Sequence, residues 1–179
     1  YKPVYVEQYI GGGEIPALTV SARGQSVELR GRIDRVDMSD GKFFVVDYKT
    51  YKSADFTLSD IYTGRKIQLY LYLSAIAAAK GWKPVGAFYL PVSYDFSQEE
   101  WTLCYRGNMT DDIAEARRIE PLLDSEGSLY RGADGKGKYA PPHFVSDGDF
   151  DSIAAYVRRL AGGGAADIAE GRILAEPLK

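Results

Sequence analysis

A chain of 179 residues, 45% hydrophobic and 26% charged, has the length and composition of one soluble globular domain with a sizeable core. It contains no run of eighteen apolar residues, so no membrane-crossing helix is expected, and no signal peptide is read at its start. A net charge of −3 gives no whole-domain attraction for nucleic acid, and the single cysteine, Cys104, excludes an internal disulfide or a cysteine-rich metal site.

The chain opens on Tyr1 rather than Met, as expected of a segment of a longer protein. Residues 1–13 end in Gly11-Gly12-Gly13, a flexible break that lacks the Lys-Ser/Thr of a phosphate-binding loop. A strand is predicted over 17–22, and Gly24-Gln25 then turns the chain into a long hairpin of strands 27–36 and 43–50. Between the hairpin strands stands Ser39-Asp40-Gly41-Lys42, and Asp-Gly is the favoured pair for a two-residue type I′ turn. If Asp40-Gly41 forms that turn, Ser39 faces Lys42 and the count outward brings Asp34 opposite Asp47.

That count matters because Asp47 and Lys49 lie two apart on a strand and share a face. Two carboxylates directly opposed across strands repel unless something compensates them. A Mg²⁺ ion would do so, since it takes hard oxygen ligands and is completed by water and substrate phosphate. The other reading of the same spacing is an exposed face on which Asp34 and Asp47 pair with Arg32 and Lys49. Apolar side chains fall on both hairpin faces, with Ile33, Phe44, Val46 and Tyr48 on one and Val36, Phe43 and Val45 on the other. A sheet covered on both sides is therefore expected, in an α/β (α+β) architecture with a central mixed β-sheet.

After a polar connection, a helix is predicted from an N-cap at Ser59 or Asp60 to Lys80, stopped by Gly81. Gln68 and Tyr72 are four apart and share one face of it. Arg30, Arg32, Arg35, Lys49 and Lys52 gather around the hairpin and Arg65-Lys66 opens the helix, making a local basic patch that is either functional or a solvated face. Strands over 85–92 and 101–106 read as a second hairpin, with Cys104 packing as a small apolar residue. Residues 108–145 begin helically over 111–123 and then loosen into a glycine-rich insertion over the core. The only histidine, His143, stands there without a nucleophile and reads as incidental. A helix over 149–160, a break at Gly162-Gly163-Gly164 and a short helix into Gly171 complete a C-terminal helical segment, 146–179, of a single domain spanning 1–179.

Taken in order, Pro3-Val4-Tyr5-Val6-Glu7, Leu29-Arg30-Gly31-Arg32-Ile33-Asp34-Arg35-Val36-Asp37, Val45-Val46-Asp47-Tyr48-Lys49-Thr50 and Gln68-Leu69-Tyr70-Leu71-Tyr72 resemble the RecB-family nuclease domains of the PD-(D/E)xK superfamily. The nearest likeness is to the C-terminal nuclease domain of AddB-type subunits of bacterial helicase–nuclease complexes. It covers 1–90 well and resumes near Ile168–Ile173 and Pro177. The resemblance implies a restriction-endonuclease-like core with helices on both faces of the sheet and a Mg²⁺- or Mn²⁺-dependent DNA exonuclease. It implies that Asp34, Asp47 and the Tyr48 backbone carbonyl hold metal, with Glu7 as an upstream acid beside them, and that Lys49 orients the attacking water. Gln68 and Tyr72 would point into the same pocket. Arg32, Arg35, Lys52, Arg65 and Lys66 would carry DNA.

The resemblance further implies a single strand of DNA emerging from a helicase as substrate, an AddA-type partner and a place in the bacterial cytoplasm, in double-strand-break repair and recombination. A 4Fe–4S cluster belongs to the full-length relatives of this family, and its cysteines would lie outside this segment, as would an upstream metal-binding histidine. Two other readings of the same residues are a non-catalytic DNA-binding or scaffolding domain of this fold and a Cas4-like nuclease of another pathway.

Overall fold

The computed structural model describes residues 1–50, 56–92, 105–121, 123, 130–131, 137–139 and 143–172. Strands β1 (Lys2–Ile10), β2 (Leu18–Ala22), β3 (Gln25–Leu29), β4 (Gly31–Ser39) and β5 (Lys42–Thr50) are followed by helices α1 (Leu58–Tyr62) and α2 (Gln68–Lys80). Then come β6 (Lys83–Val92), β7 (Arg106–Thr110), α3 (Ile113–Ile119), β8 (Tyr130–Arg131), β9 (Gly137–Tyr139), β10 (His143–Val145) and α4 (Asp147–Ala169). Six strands form one mixed sheet in the order β1-β4-β5-β6-β7-β10, in which β5–β6 and β7–β10 are parallel and the other neighbours antiparallel.

Strand β5 is central because Phe43–Asp47 are buried without a break, the pattern of a strand covered on both faces. On one face Phe43, Val45 and Val36 pack with Leu69, Tyr70, Leu73 and Ile76 of α2 and with Phe150 and Val157 of α4. On the other, Phe44, Val46 and Phe88 pack with Ala116 and Ile119 of α3. Helices thus cover both faces, as a restriction-endonuclease-like core requires. Among the described residues no helix is long and apolar enough to cross a membrane.

The two-residue turn forms as expected: Asp40 and Gly41 both take positive φ, 52° and 74°, and Ser39 pairs with Lys42. Its tip is anchored by Glu115 of α3, only 4% exposed at its side chain, which accepts from Tyr1 Oη (2.6 Å), pairs with Lys42 and holds Arg118 at 3.1 Å. Arg118 in turn reaches Asp40 at 2.8 Å. Burial pushes the Glu115 carboxyl up, but its bonds from Lys42 and Tyr1, with the charges of Lys42 and Arg118, bring it below the usual carboxylate range.

Several expectations are corrected. The long strand over 27–36 is two strands. A second two-residue turn with positive φ at Arg23 (48°) and Gly24 (76°) folds β3 back onto β2 with Ala22 opposite Gln25, and Arg30 is the corner from which β4 starts afresh. Residues 1–13, read without regular structure, contain β1. It is an edge strand whose exposed Val4, Val6 and Tyr9 give no buried-face alternation to read.

Ile33 packs with Val36, Phe43 and Val45 rather than on the Phe44 face, and Tyr48 is 42% exposed. The single helix over 59–80 is two helices, capped at Thr57 rather than at Ser59 or Asp60. Gly64 takes φ 76°, α1 stops after little more than a turn, and Arg65 and Lys66 lie in the connection with their N–H groups on the Asp60 carbonyl. Gly81, at φ 67°, ends α2 as read.

The first described residue of the second hairpin's returning strand is Tyr105, and β7 runs on to Thr110; Cys104 lies outside the described residues. Residues 108–145 therefore begin inside the sheet and return to it as β10, with α3 shorter than the predicted 111–123.

The largest correction is α4. It runs unbroken through Gly162-Gly163-Gly164, because β2 passes so close that a Cβ at Gly162 would stand 2.8 Å from the Ser21 carbonyl oxygen. Arg23 on that hairpin donates to the Gly163 carbonyl (3.1 Å) and pairs with Asp167 at 2.5 Å.

These contacts separate the three glycines. Gly162→Ala is expected to destabilise by ~1–3 kcal/mol through overpacking, outweighing its gain in helix propensity. Nothing stands within 4 Å of a Cβ at Gly163 or Gly164, so alanine at either should stabilise by roughly 0.5–1 kcal/mol. Denaturant unfolding of the three variants checks the order.

A second expectation concerns pH. Glu115 has a folded pKa below its unfolded value, so its contribution is full at neutral pH and is lost as pH falls through the acid range. Glu115→Gln should therefore lose about 1–3 kcal/mol at pH 7, with the deficit closing in acid titrations of stability.

Candidate active site

The ladder between β4 and β5 runs from Ser39–Lys42 to Arg35–Val46 and stops one pair short of Asp34 and Asp47. There the Asp34 side chain takes over the role of a strand carbonyl, its Oδ2 accepting the Tyr48 N–H at 2.9 Å. On its other side the β1–β4 ladder steps from Val6–Arg35 to Gln8–Ile33, passing over Asp34 and Glu7, and Glu7 takes φ 54°. A non-glycine residue in the left-handed region is an uncommon, costly conformation. The sheet is thus interrupted on both sides of Asp34, and that interruption releases its carboxylate toward the end of β5.

Asp47 is buried, its side chain 4% exposed, with Oδ2 at 2.5 Å from Lys49 Nζ. That oxygen accepts no aligned hydrogen bond. Burial raises the Asp47 carboxyl, the Lys49 ammonium works against this, and the Asp34 charge adds to the rise. Lys49 Nζ also donates to Gln68 Oε1 at 3.3 Å, and Gln68 Nε2 donates to Tyr72 Oη at 2.6 Å. Gln68 and Tyr72 stand in the first turns of α2, and Gly31 of β4 leaves room for the Tyr72 ring: a Cβ there would sit 3.4 Å from its Cε1. Burial raises the Tyr72 hydroxyl while its bond from Gln68 lowers it. The result is one line of contacts, Asp34–Tyr48–Asp47–Lys49–Gln68–Tyr72, at the open end of the hairpin.

A buried carboxylate oxygen without a hydrogen bond, beside a second carboxylate, is an oxygen donor set that fits a hard divalent cation. The residues that would hold it are Asp47, Asp34 and the Tyr48 carbonyl, whose peptide the Asp34 bond holds in place. Glu7 is not drawn in. Its carboxylate pairs with Arg32 at 2.9 Å, both side chains being 54% exposed, and among the described residues no three acids, histidines or cysteines gather into one cluster.

The basic residues separate. Arg32 is on Glu7, and Arg65 pairs with Asp60 at 3.0 Å. Arg35 is fixed by two 2.6 Å bonds to buried Asp37, a pairing that raises its already high pKa. Lys66 Nζ lies 5.6 Å from the centre of the Tyr89 ring, and Lys52 is outside the described residues. Two participants escaped the sequence. Asp37 reads there as another motif acid, and Tyr89 as one more core aromatic in an apolar run. The signal for Tyr89 is its register, directly beside Asp47 on the parallel strand β6.

A profile of the PD-(D/E)XK nuclease superfamily matches residues 1–179, and the chain belongs to that superfamily. Over the whole chain it is 30% identical, across 205 aligned residues, to the AddB-type subunit of the ATP-dependent helicase/deoxyribonuclease of Clostridium acetobutylicum, of which the match covers 18%. It is 31% identical across 206 residues to the protein of that name from Clostridium tetani, again 18% of its length, and 38% identical across 109 residues to that of Limosilactobacillus fermentum, covering half of this chain and 9% of the relative. The chain therefore spans about a fifth of the length of the first two relatives.

Cation binding can be tested without catalysis. Mg²⁺ or Mn²⁺ at 100-fold excess over its dissociation constant should stabilise the native chain by about 2.7 kcal/mol, read as a rise in Tm, and Asp47→Asn should abolish the rise. Without divalent cation the sign reverses. A carboxyl with a raised folded pKa lowers stability above that pKa. Asp47→Asn should then be the more stable protein at pH 7, with the advantage fading in acid.

Proposed function

We propose that this nuclease hydrolyses DNA phosphodiester bonds as a divalent-metal-dependent exonuclease, Mg²⁺ or Mn²⁺ serving as the cation. The observation that carries the reading is the convergence of Asp34, Asp47 and Lys49 where the hairpin opens, with Asp47 Oδ2 buried and without an aligned hydrogen bond. Held by Asp34, Asp47 and the Tyr48 carbonyl, the cation supplies Lewis acidity toward the phosphate and a more acidic water.

The chain's own groups do the rest. Lys49 Nζ, steadied by Asp47 and Gln68, points hydrogen bonds at the attacking water and at a non-bridging phosphate oxygen. It offsets the charge that grows there. The water oxygen adds to phosphorus, the phosphorus–oxygen bond to the sugar breaks, and the departing oxygen takes up a proton. Tyr72 fixes the Gln68 amide so that its carbonyl faces Lys49 and its NH₂ faces away. Arg32, Arg65, Lys66 and Lys52 supply positive charge for the neighbouring phosphates, whereas Arg35 is committed to Asp37.

The shared name of the helicase/deoxyribonuclease relatives, and their identity to this chain, support a place for the domain in a bacterial helicase–nuclease. In that setting it digests a single strand leaving the motor, in partnership with an AddA-type helicase–nuclease, in the cytoplasm during double-strand-break repair and recombination. A 4Fe–4S cluster would belong to the remainder of such a protein.

End-labelled single-stranded DNA incubated with the protein and Mg²⁺ or Mn²⁺ tests the chemistry. Cleavage should vanish with chelator, fall below detection in Asp47→Ala, and drop about 10²–10³-fold in Lys49→Ala, the range for loss of a transition-state donor. Equal cleavage by the native and Asp47→Ala proteins would remove Asp47 from the mechanism. Cleavage by neither would favour a scaffolding domain.

A further inference from the structure

Among the described residues Lys49 carries the ammonium that touches Asp47, yet its two polar contacts do not confine it. The carboxylate lies close without an aligned hydrogen bond, and the Gln68 bond is long at 3.3 Å. A third group does confine it. The ring of Tyr89 presents itself to Lys49 Nζ at 5.5 Å from its centre, within the range of a cation–π interaction. The same ring receives Lys66 Nζ at 5.6 Å. Tyr89 is 2% exposed, packs on Phe56 with ring centres 6.0 Å apart, and stands beside Asp47 in the parallel β5–β6 register, so it is rigid where the lysines are long and flexible.

We infer that Tyr89 is a positioning residue whose ring seats both ammonium groups. Lys49 is thereby set for the attacked phosphate and Lys66 for the adjoining phosphate of the same strand. The assignment rests on the nuclease reading above. Its chemistry is that of desolvated cations on an aromatic face. The ring holds positive charge without neutralising it, whereas a second carboxylate in its place would pair with the lysine and compete with the phosphate. It also brings Lys66, which belongs to the connection between α1 and α2, to the end of the central strand pair.

The test compares Tyr89→Phe with Tyr89→Leu in the DNA cleavage assay and in NMR spectra of the chain labelled with ¹³C-lysine. The ε-methylene signals of Lys49 and Lys66, assigned through Lys49→Arg and Lys66→Arg, should lie upfield of the other lysines because of the ring. They should stay there in Tyr89→Phe and move to ordinary positions in Tyr89→Leu. In cleavage, Tyr89→Leu should lose 10-fold or more in kcat and raise KM, and Tyr89→Phe should recover most of both.

Should Tyr89→Leu fail to fold, mono-, di- and trifluorinated phenylalanine at position 89 keep the volume while weakening the ring face, and kcat should fall stepwise with fluorine count. A folded Tyr89→Leu with unchanged kcat, KM and lysine signals overturns the assignment, as does a Tyr89→Phe that loses as much as Tyr89→Leu. If the native chain cleaves no DNA, the nuclease reading falls, while the lysine signals still decide whether Tyr89 seats the two cations.

Discussion

Two consecutive positive φ angles, at Asp40 and Gly41, lock β4 against β5 with Ser39 facing Lys42. A slip of one residue there would turn Asp47 and Lys49 to the opposite face and bring an apolar pair in their place. The turn is therefore the constraint on which the site depends, although it lies at the far end of the hairpin from the chemistry. Glu115, with Tyr1, Lys42 and Arg118 around it, clamps that end to α3. Register is set at a rigid, charge-bonded tip and read out several residues away, where the ladder stops and side chains replace backbone partners.

That division of labour explains how one sheet can be both well paired and functional. Along Arg35–Ser39 and Lys42–Val46, backbone groups bond each other and both faces are packed. At Asp34 neither neighbour pairs in step, and the Asp34 carboxylate satisfies the Tyr48 amide instead. The positive φ of Glu7 belongs to the same interruption. Strain and unpaired oxygen collect in one place, beside the parallel β5–β6 pair that stays continuous to Thr50 and holds Asp47 and Tyr89 side by side.

The hairpin, its turn and the Asp34–Asp47 opposition were legible because a period of two and an Asp-Gly turn are strong local signals. Gln68 and Tyr72 were legible as a helical pair, and their order after Asp47-Tyr48-Lys49 carried the family resemblance. What escaped was decided by distant neighbours. Nothing local says that residues 25–29 pair backward onto 18–22, or that Gly162 meets the Ser21 carbonyl, so the glycine triplet reads as a break when it is the place of closest helix–hairpin approach. Edge strand β1 escaped because exposure on both sides erases alternation. Arg35 looked like its basic neighbours, and only the buried position of Asp37 distinguishes it.

The buried carboxylate of Asp47 bears on how such a domain changes over generations. Its burial, uncompensated by an aligned hydrogen bond, opposes folding, and many replacements at that position would relieve the opposition. Under mutational drift in a lineage that needed only the scaffold, Asp47 would be among the first residues to go, since its loss would be welcomed by stability and resisted by nothing else. The acid of Asp47-Tyr48-Lys49 is thus a feature that only continued selection for what it does can retain.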